Sequence, residues 1–189
     1  GWSQATSNAK YLLLIVLVVL APVIFTWITT DPSKSDIDVD HLLNAGKTYY
    51  DSGEAQKAID AFSLALQHKP TETDLLINLA NAYRLANKSE DVIKYAEEAL
   101  AIDNNIGAGH FLIGCAHLRL NQTTNAIQAL QQAYDIDNTV SAVGYLLGKS
   151  KLAVGNFEDA ILYLEEVATY EEEHLGAAYS WSQALMQAG

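Results

Sequence analysis

Residues 107–140 read GAGHFLIGCAHLRLNQTTNAIQALQQAYDIDNTV, and the fold is decided by what recurs around them. Gly114 sits inside a stretch that otherwise reads as an amphipathic helix. Steps of 34 residues lead from it to Ala80 and Gly46 on one side and to Gly148 and Ser182 on the other. All five are tiny. A small residue at such a point lets two helices pack backbone to backbone, and a period near 34 marks a solenoid of helix–turn–helix units.

Other columns keep the same register. One place earlier stand Ala45, Leu79, Ile113, Leu147 and Trp181; three places later stand Tyr49, Tyr83, His117, Lys151 and Leu185. The second half of the unit carries Ala58, Val92, Ala126 and Ala160, each followed by isoleucine, then Phe62, Ala96, Leu130 and Leu164, then Ala65, Ala99, Ala133 and Val167. Pro70, Asn104 and Asn138 close the first three units, and Gly53, Asn87, Asn121, Gly155 and Gly189 share a turn column. Glycine and asparagine tolerate the left-handed conformation that ends a helix. Each unit is therefore expected to be a first helix, a tight turn and a second helix, with helices of about 12–14 residues.

This pattern resembles the tetratricopeptide repeat family, in which a bulky residue is followed by leucine–glycine, tyrosine, alanine, phenylalanine, alanine and proline at these offsets. The resemblance spans 39–189, about four and a half repeats: 39–72, 73–106, 107–140, 141–174 and a partial 175–189. The departures are local. His117 and Lys151 replace the aromatic residue, Ala96 replaces the large one, and Glu172 stands at the proline column. The implied fold class is all-α, a tetratricopeptide solenoid preceded by one amino-terminal transmembrane helix.

That helix is residues 11–30, YLLLIVLVVLAPVIFTWITT, a run without charge. About 20 residues at 1.5 Å each cross a hydrocarbon core of about 30 Å. Tyr11 and Trp27 fall where aromatic rings meet headgroups, and Pro22 is expected to kink the span. The run is longer than the apolar part of a secretory signal and no Ala-x-Ala site closes it, so it reads as an uncleaved signal anchor. Residues 1–10 flank it and 31–38 form a short polar linker, which would keep the solenoid near the bilayer. One lysine stands beside each end, Lys10 and Lys34, so sidedness is weakly marked. The orientation expected is amino terminus in the cytoplasm and solenoid outside, in the periplasm if bacterial.

The chain of 189 residues has a formal net charge of −12, and all 23 acidic residues lie after residue 30. Nucleic acid and anionic lipid surfaces are disfavoured, and a basic partner is favoured. Cys115 is the one cysteine, which excludes an internal disulfide. No nucleophile–base pair, phosphate loop or paired-carboxylate site emerges, so the protein is read as a non-enzyme without metal or cofactor. His110, Cys115 and His117 lie on one helix, yet each occupies a regular packing or groove column. Asn87-Lys-Ser and Asn121-Gln-Thr match glycosylation sequons, and the turn column explains both asparagines without sugar. Glu97–Glu98 and Glu165–Glu166 read as a solvated convex face.

In a tetratricopeptide solenoid the first helices line a concave groove. The resemblance implies that the second, fifth, ninth and twelfth positions of each unit face it. The fifth gives Leu43, Ile77, Phe111, Tyr145 and Tyr179; the ninth gives Lys47, Asn81, Cys115, Lys149 and Gln183; the twelfth gives Tyr50, Arg84, Leu118, Leu152 and Met186. An apolar and aromatic ladder flanked by hydrogen-bonding groups suits an amphipathic helix or extended peptide. The same side chains could instead pack between units. Arg84 and Lys149 are best placed to grip a carboxylate. The family's clamp for acidic peptide ends is not rebuilt by Lys47, Asn81 and Arg84, because Leu43 stands where that branch has lysine.

The expected function is a membrane-anchored scaffold for protein–protein interaction within or onto a membrane protein complex. The alternatives are a chaperone-like assembly factor, similar in plan to the anchored repeat proteins of c-type cytochrome maturation, and an organelle import receptor. Repeats stop after a first helix at Gly189, where Tyr179, Trp181 and Leu185 would be partly bare. More chain beyond Gly189 is the favoured expectation, with a capping role for that helix or a covering partner as the others.

Overall fold

The computed structural model describes residues 38–170 and 174–189. The expected span at 11–30, its flank 1–10, the linker up to residue 37 and Glu172 lie outside the described residues. Among the described residues, no helix is long and apolar enough to cross a membrane. One compact unit runs from Val39 to Gly189.

It contains, among the described residues, nine helices in pairs: α1 (Val39–Asp51) and α2 (Ala55–His68), α3 (Thr73–Leu85) and α4 (Ser89–Ile102), α5 (Gly107–Arg119) and α6 (Thr123–Ile136), α7 (Ser141–Ala153) and α8 (Phe157–Tyr170), then α9 (Leu175–Ala188). First helices α1, α3, α5 and α7 have 13 residues and second helices α2, α4, α6 and α8 have 14. This is an all-α helix–turn–helix solenoid.

The turns explain why the helices stop where they do. Gly53, Asn87, Asn121 and Gly155 adopt φ of 76°, 61°, 58° and 79°. The residue after each donates its N–H to the carbonyl five positions back: Glu54 to Tyr49, Lys88 to Tyr83, Gln122 to His117 and Asn156 to Lys151, at 2.8–3.0 Å. This is the Schellman closure, which satisfies carbonyls that the helix end would leave unpaired. The acceptors are the column of Tyr49, so that backbone role survives where the aromatic side chain does not. Two polar ties stand in for the lost rings: His117 Nδ1 with Gln122 Oε1 at 2.6 Å, and Lys151 Nζ with Asp159 Oδ2 at 2.7 Å. The Lys151 hydrogen bond, with its charge, holds the Asp159 carboxyl below the usual range.

The small-residue column is where each pair closes. A Cβ at Gly46, Gly114 or Gly148 would stand 2.5 Å from Phe62, 2.6 Å from Leu130 or 2.7 Å from Leu164. Phe62, Leu130 and Leu164 are themselves fully buried. In the second repeat both sides change together: Ala80 adds a methyl and Ala96 gives up the large side chain, and the two share one buried cluster. Ser182 differs from its column by being exposed, because no second helix sits on it among the described residues. Trp181 is half-buried against Ala160, Leu164 and Ala184, while Tyr179 and Leu185 remain exposed.

Candidate functional site

Close approaches between alternate helices all join first helices: α1 with α3, α3 with α5, and α7 with α9. Second helices make no comparable contact, so the stack curves with the first helices on its inner side. The thirteen expected groove residues sit on those helices. Lys47, Lys149 and Tyr179 are exposed, and Leu43, Tyr50, Ile77, Asn81, Arg84, Phe111, Cys115, Leu118, Tyr145 and Leu152 are half-buried. None is fully buried. Leu43 and Tyr50 also pack against the first core, Ile77 against the second, and Tyr145 and Leu152 against the third. These five side chains therefore pack on the cores while part of each stays at the surface.

The first half of the inner face is organised around Arg84. Its Nη2 donates to Tyr50 Oη at 2.8 Å and its Nε to Asn81 Oδ1 at 3.4 Å, while Asn81 Nδ2 donates to the Ile77 carbonyl at 3.2 Å. These bonds fix the guanidinium across two repeats. Beside it, Lys47, Tyr50 and Asn81 line a depression of about 290 Å³ with Asp51, Asn78 and Phe62. Among the described residues, neither Lys47 nor Arg84 is paired with a carboxylate. Asn78 and Asp51 were missed by the sequence reading. Both fall one place beyond the columns the resemblance marks, and the polar Asn78 within the apolar run Leu75–Leu79 was the available signal.

Cys115 lies in the same stretch, and burial pushes its thiol up while the Arg84 charge opposes the shift. It stays a protonated, weakly reactive thiol near neutral pH. His110 and His117 are each tied to a loop, through Asn104 O at 3.0 Å and Gln122. Among the described residues, no group of three or more potential ligands could hold a metal. Farther along, Lys149 Nζ stands 5.6 Å from the Tyr145 ring centroid, and Tyr145 packs on His174 at 4.7 Å. Phe111 borders a separate apolar depression of about 360 Å³ with Ile136, Val140 and Val143.

One expectation for the convex face is corrected. Glu97, Glu98 and Glu165 are exposed, but Glu166 is half-buried and accepts from the Tyr134 hydroxyl of the preceding repeat. Tyr163 Oη likewise donates to Gln131 Oε1 at 2.9 Å. Residue spacing within a single helix does not show such a partner 32 positions away.

The family model described as anaphase-promoting complex, cyclosome, subunit 3 matches residues 87–167, less than half of the chain. No curated protein matches the sequence. Among solved structures, a MamA protein is similar with a TM-score of 0.72 at 21% identity, over 80% of this chain and 82% of that one. A thermophilic tetratricopeptide protein of Thermus thermophilus gives 0.64 at 16%, over 82% and 84%. The first tetratricopeptide domain of Spaghetti (RPAP3), bound to the HSP90 peptide SRMEEVD, gives 0.60 at 20%, over 62% and 93%. These likenesses show a shared fold.

Proposed function

We propose that this tetratricopeptide solenoid is an interaction scaffold whose inner face receives a segment of another polypeptide, and that residues 11–30 tether it beside a membrane complex. One observation carries the reading. Lys47 and the braced guanidinium of Arg84 stand without carboxylate partners next to a row of part-exposed apolar and aromatic side chains. A row of that kind takes alternate side chains of a bound segment, and a fixed cation sets register on an acidic group. Bracing by Tyr50 and Asn81 lowers the ordering cost of gripping it. The peptide-bound RPAP3 domain supports the use of this fold for peptides, although this chain lacks the family clamp at Leu43. The orientation proposed is amino terminus in the cytoplasm and solenoid outside. Protection of the solenoid from protease in intact spheroplasts would overturn that part.

The test is purification of the full chain from its native membranes in mild detergent, alongside Arg84→Ala and the pair Phe111→Ala and Tyr145→Ala. The expected result is a constant set of companions at matched stoichiometry, with one lost from the variants. Recovery alone, or with traces of many unfolded clients, overturns the scaffold and favours an assembly factor that binds transiently.

A further inference from the structure

The fourth position of each repeat carries Leu42, Leu76, His110 and Gly144. Leu76 is buried, and His110 spans to the carbonyl of Asn104 in the preceding loop at 3.0 Å. In the fourth repeat the corresponding pair is Gly144 and Asn138, and the side chain that would bridge them is gone. A cavity of about 450 Å³ opens there, lined by Tyr134 of α6, Asn138, Gly144 and the first turn of α7, and Glu166, Val167 and Tyr170 of α8. A Cβ on Gly144 would lie 3.0 Å from Val167 Cγ2 and 3.6 Å from Tyr134 Cε2, so these two form the wall behind the glycine. No groove position borders the cavity.

Its chemistry selects an occupant. Tyr134 donates its hydroxyl to Glu166 Oε2, and burial together with that carboxylate pushes the phenol well up, so it remains a donor. The second oxygen of Glu166 has no partner among the described residues. An anion would face the full charge of Glu166. The amino end of α7 offsets only about half a unit of it. A neutral apolar group would remove water from the carboxylate and give nothing back. A guanidinium or ammonium meets the free oxygen with a charge-assisted hydrogen bond and can lie on a phenol face. Tyr170 offers such a face at the mouth, being 82% exposed. A guanidinium adds further planar donors, and Asn138 in the same lining carries an amide oxygen able to accept from one. The acidic balance of the chain, −12 in all, draws a basic partner to this surface.

We propose that the cavity beside Gly144 is a second recognition site, which receives an arginine side chain of a polypeptide partner on Glu166 and Tyr170. It shares with the preceding reading only the premise that the ligand is a polypeptide, and it can fail while the groove stands.

The probe is a capped Gly-Arg-Gly peptide, paired with its citrulline counterpart of the same shape and no charge. Each is titrated into the full ¹⁵N-labelled chain in mild detergent, following the backbone amides of Gly144 and Val167. The expected result is a saturable shift of both amides with the arginine peptide and none with citrulline. Affinity should fall roughly fivefold in Glu166→Gln and in Tyr170→Ala. Tyr170 is a surface residue, so its variant reports binding even if Glu166→Gln disturbs packing. Glu97→Gln, an exposed acid on α4, should leave the affinity unchanged. Shifts spread over the acidic surface, or an equal loss in Glu97→Gln, would mean general charge attraction and overturn the site, as would silence at Gly144. Shifts confined to Tyr50, Asn81 and Arg84 would overturn it while upholding the groove.

Discussion

A Cβ placed on Gly114 stands 2.6 Å from Leu130 Cγ, which is too close for either residue to keep its position. The pair in the second repeat, Ala80 and Ala96, solves the same contact with one methyl on each side. The first prediction follows. Gly114→Ala should gain about 1 kcal/mol in helix propensity and lose about 1–3 kcal/mol to overpacking, for a net loss of stability. Leu130→Ala alone should cost about 2–5 kcal/mol. The double variant should be more stable than the sum of the two by about 1 kcal/mol or more. Urea midpoints at constant slope measure all three, and strict additivity would show that the two columns do not compensate.

Asn121 closes α5 at φ 58°, and Gln122 N–H reaches the His117 carbonyl only because of that turn. Asn121→Ala should cost about 1–2 kcal/mol, since a Cβ without a local hydrogen-bonding side chain is strained there. Asn121→Gly should fall within about 0.5 kcal/mol of the parent. A parent-like midpoint for the alanine variant would mean that the turn relaxes to another conformation.

The repeat was legible because its determinants are local and periodic. Turn residues set where helices stop, and small residues set where two helices meet. The groove was legible only as a surface. The sequence placed Arg84 on the inner side, but its bond to Tyr50 joins residues 34 apart through side-chain conformation, which spacing does not encode. Glu166 was read as solvated for the same reason, since its partner lies on another repeat. Gly144 passed unremarked because a missing side chain has meaning only against the residues that surround it. Lys151 was read as a departure from the aromatic column, and the structure shows that it reaches Asp159 instead.

Two phenols should titrate late. Tyr83 stacks on Tyr95 at 5.2 Å with the rings 7° from parallel, and burial first, then Tyr95, raises it from 10.0 to about 12. Tyr134 is raised further by burial and Glu166. A phenol raised in the folded state binds its proton more tightly there than in the unfolded chain. The associated stability is full below about pH 10 and is lost as pH rises through 12. Absorbance at 295 nm should show most tyrosines ionising near pH 10, with a late component that shrinks in Tyr134→Phe and Tyr83→Phe. A single transition at pH 10 would refute the packing at both sites.

The last helix hangs on His174. Its Nδ1 accepts the N–H of Ala177 at 3.0 Å, and its ring lies on Tyr145 at 4.7 Å. The side chain thus caps α9 and ties it to α7 on the inner face. An acceptor at Nδ1 requires the proton on Nε2. His174→Ala should cost about 1 kcal/mol, as the loss of an amino-terminal cap does. His174→Asn, which keeps an acceptor without the ring, should recover the cap but not the contact with Tyr145. Hydrogen exchange at Ala177 and Ala178 measures the effect directly. Faster exchange of these amides in His174→Ala than in the parent, with His174→Asn between the two, is the expected outcome. Parent-like exchange in the alanine variant would show that the side chain does not hold the start of α9.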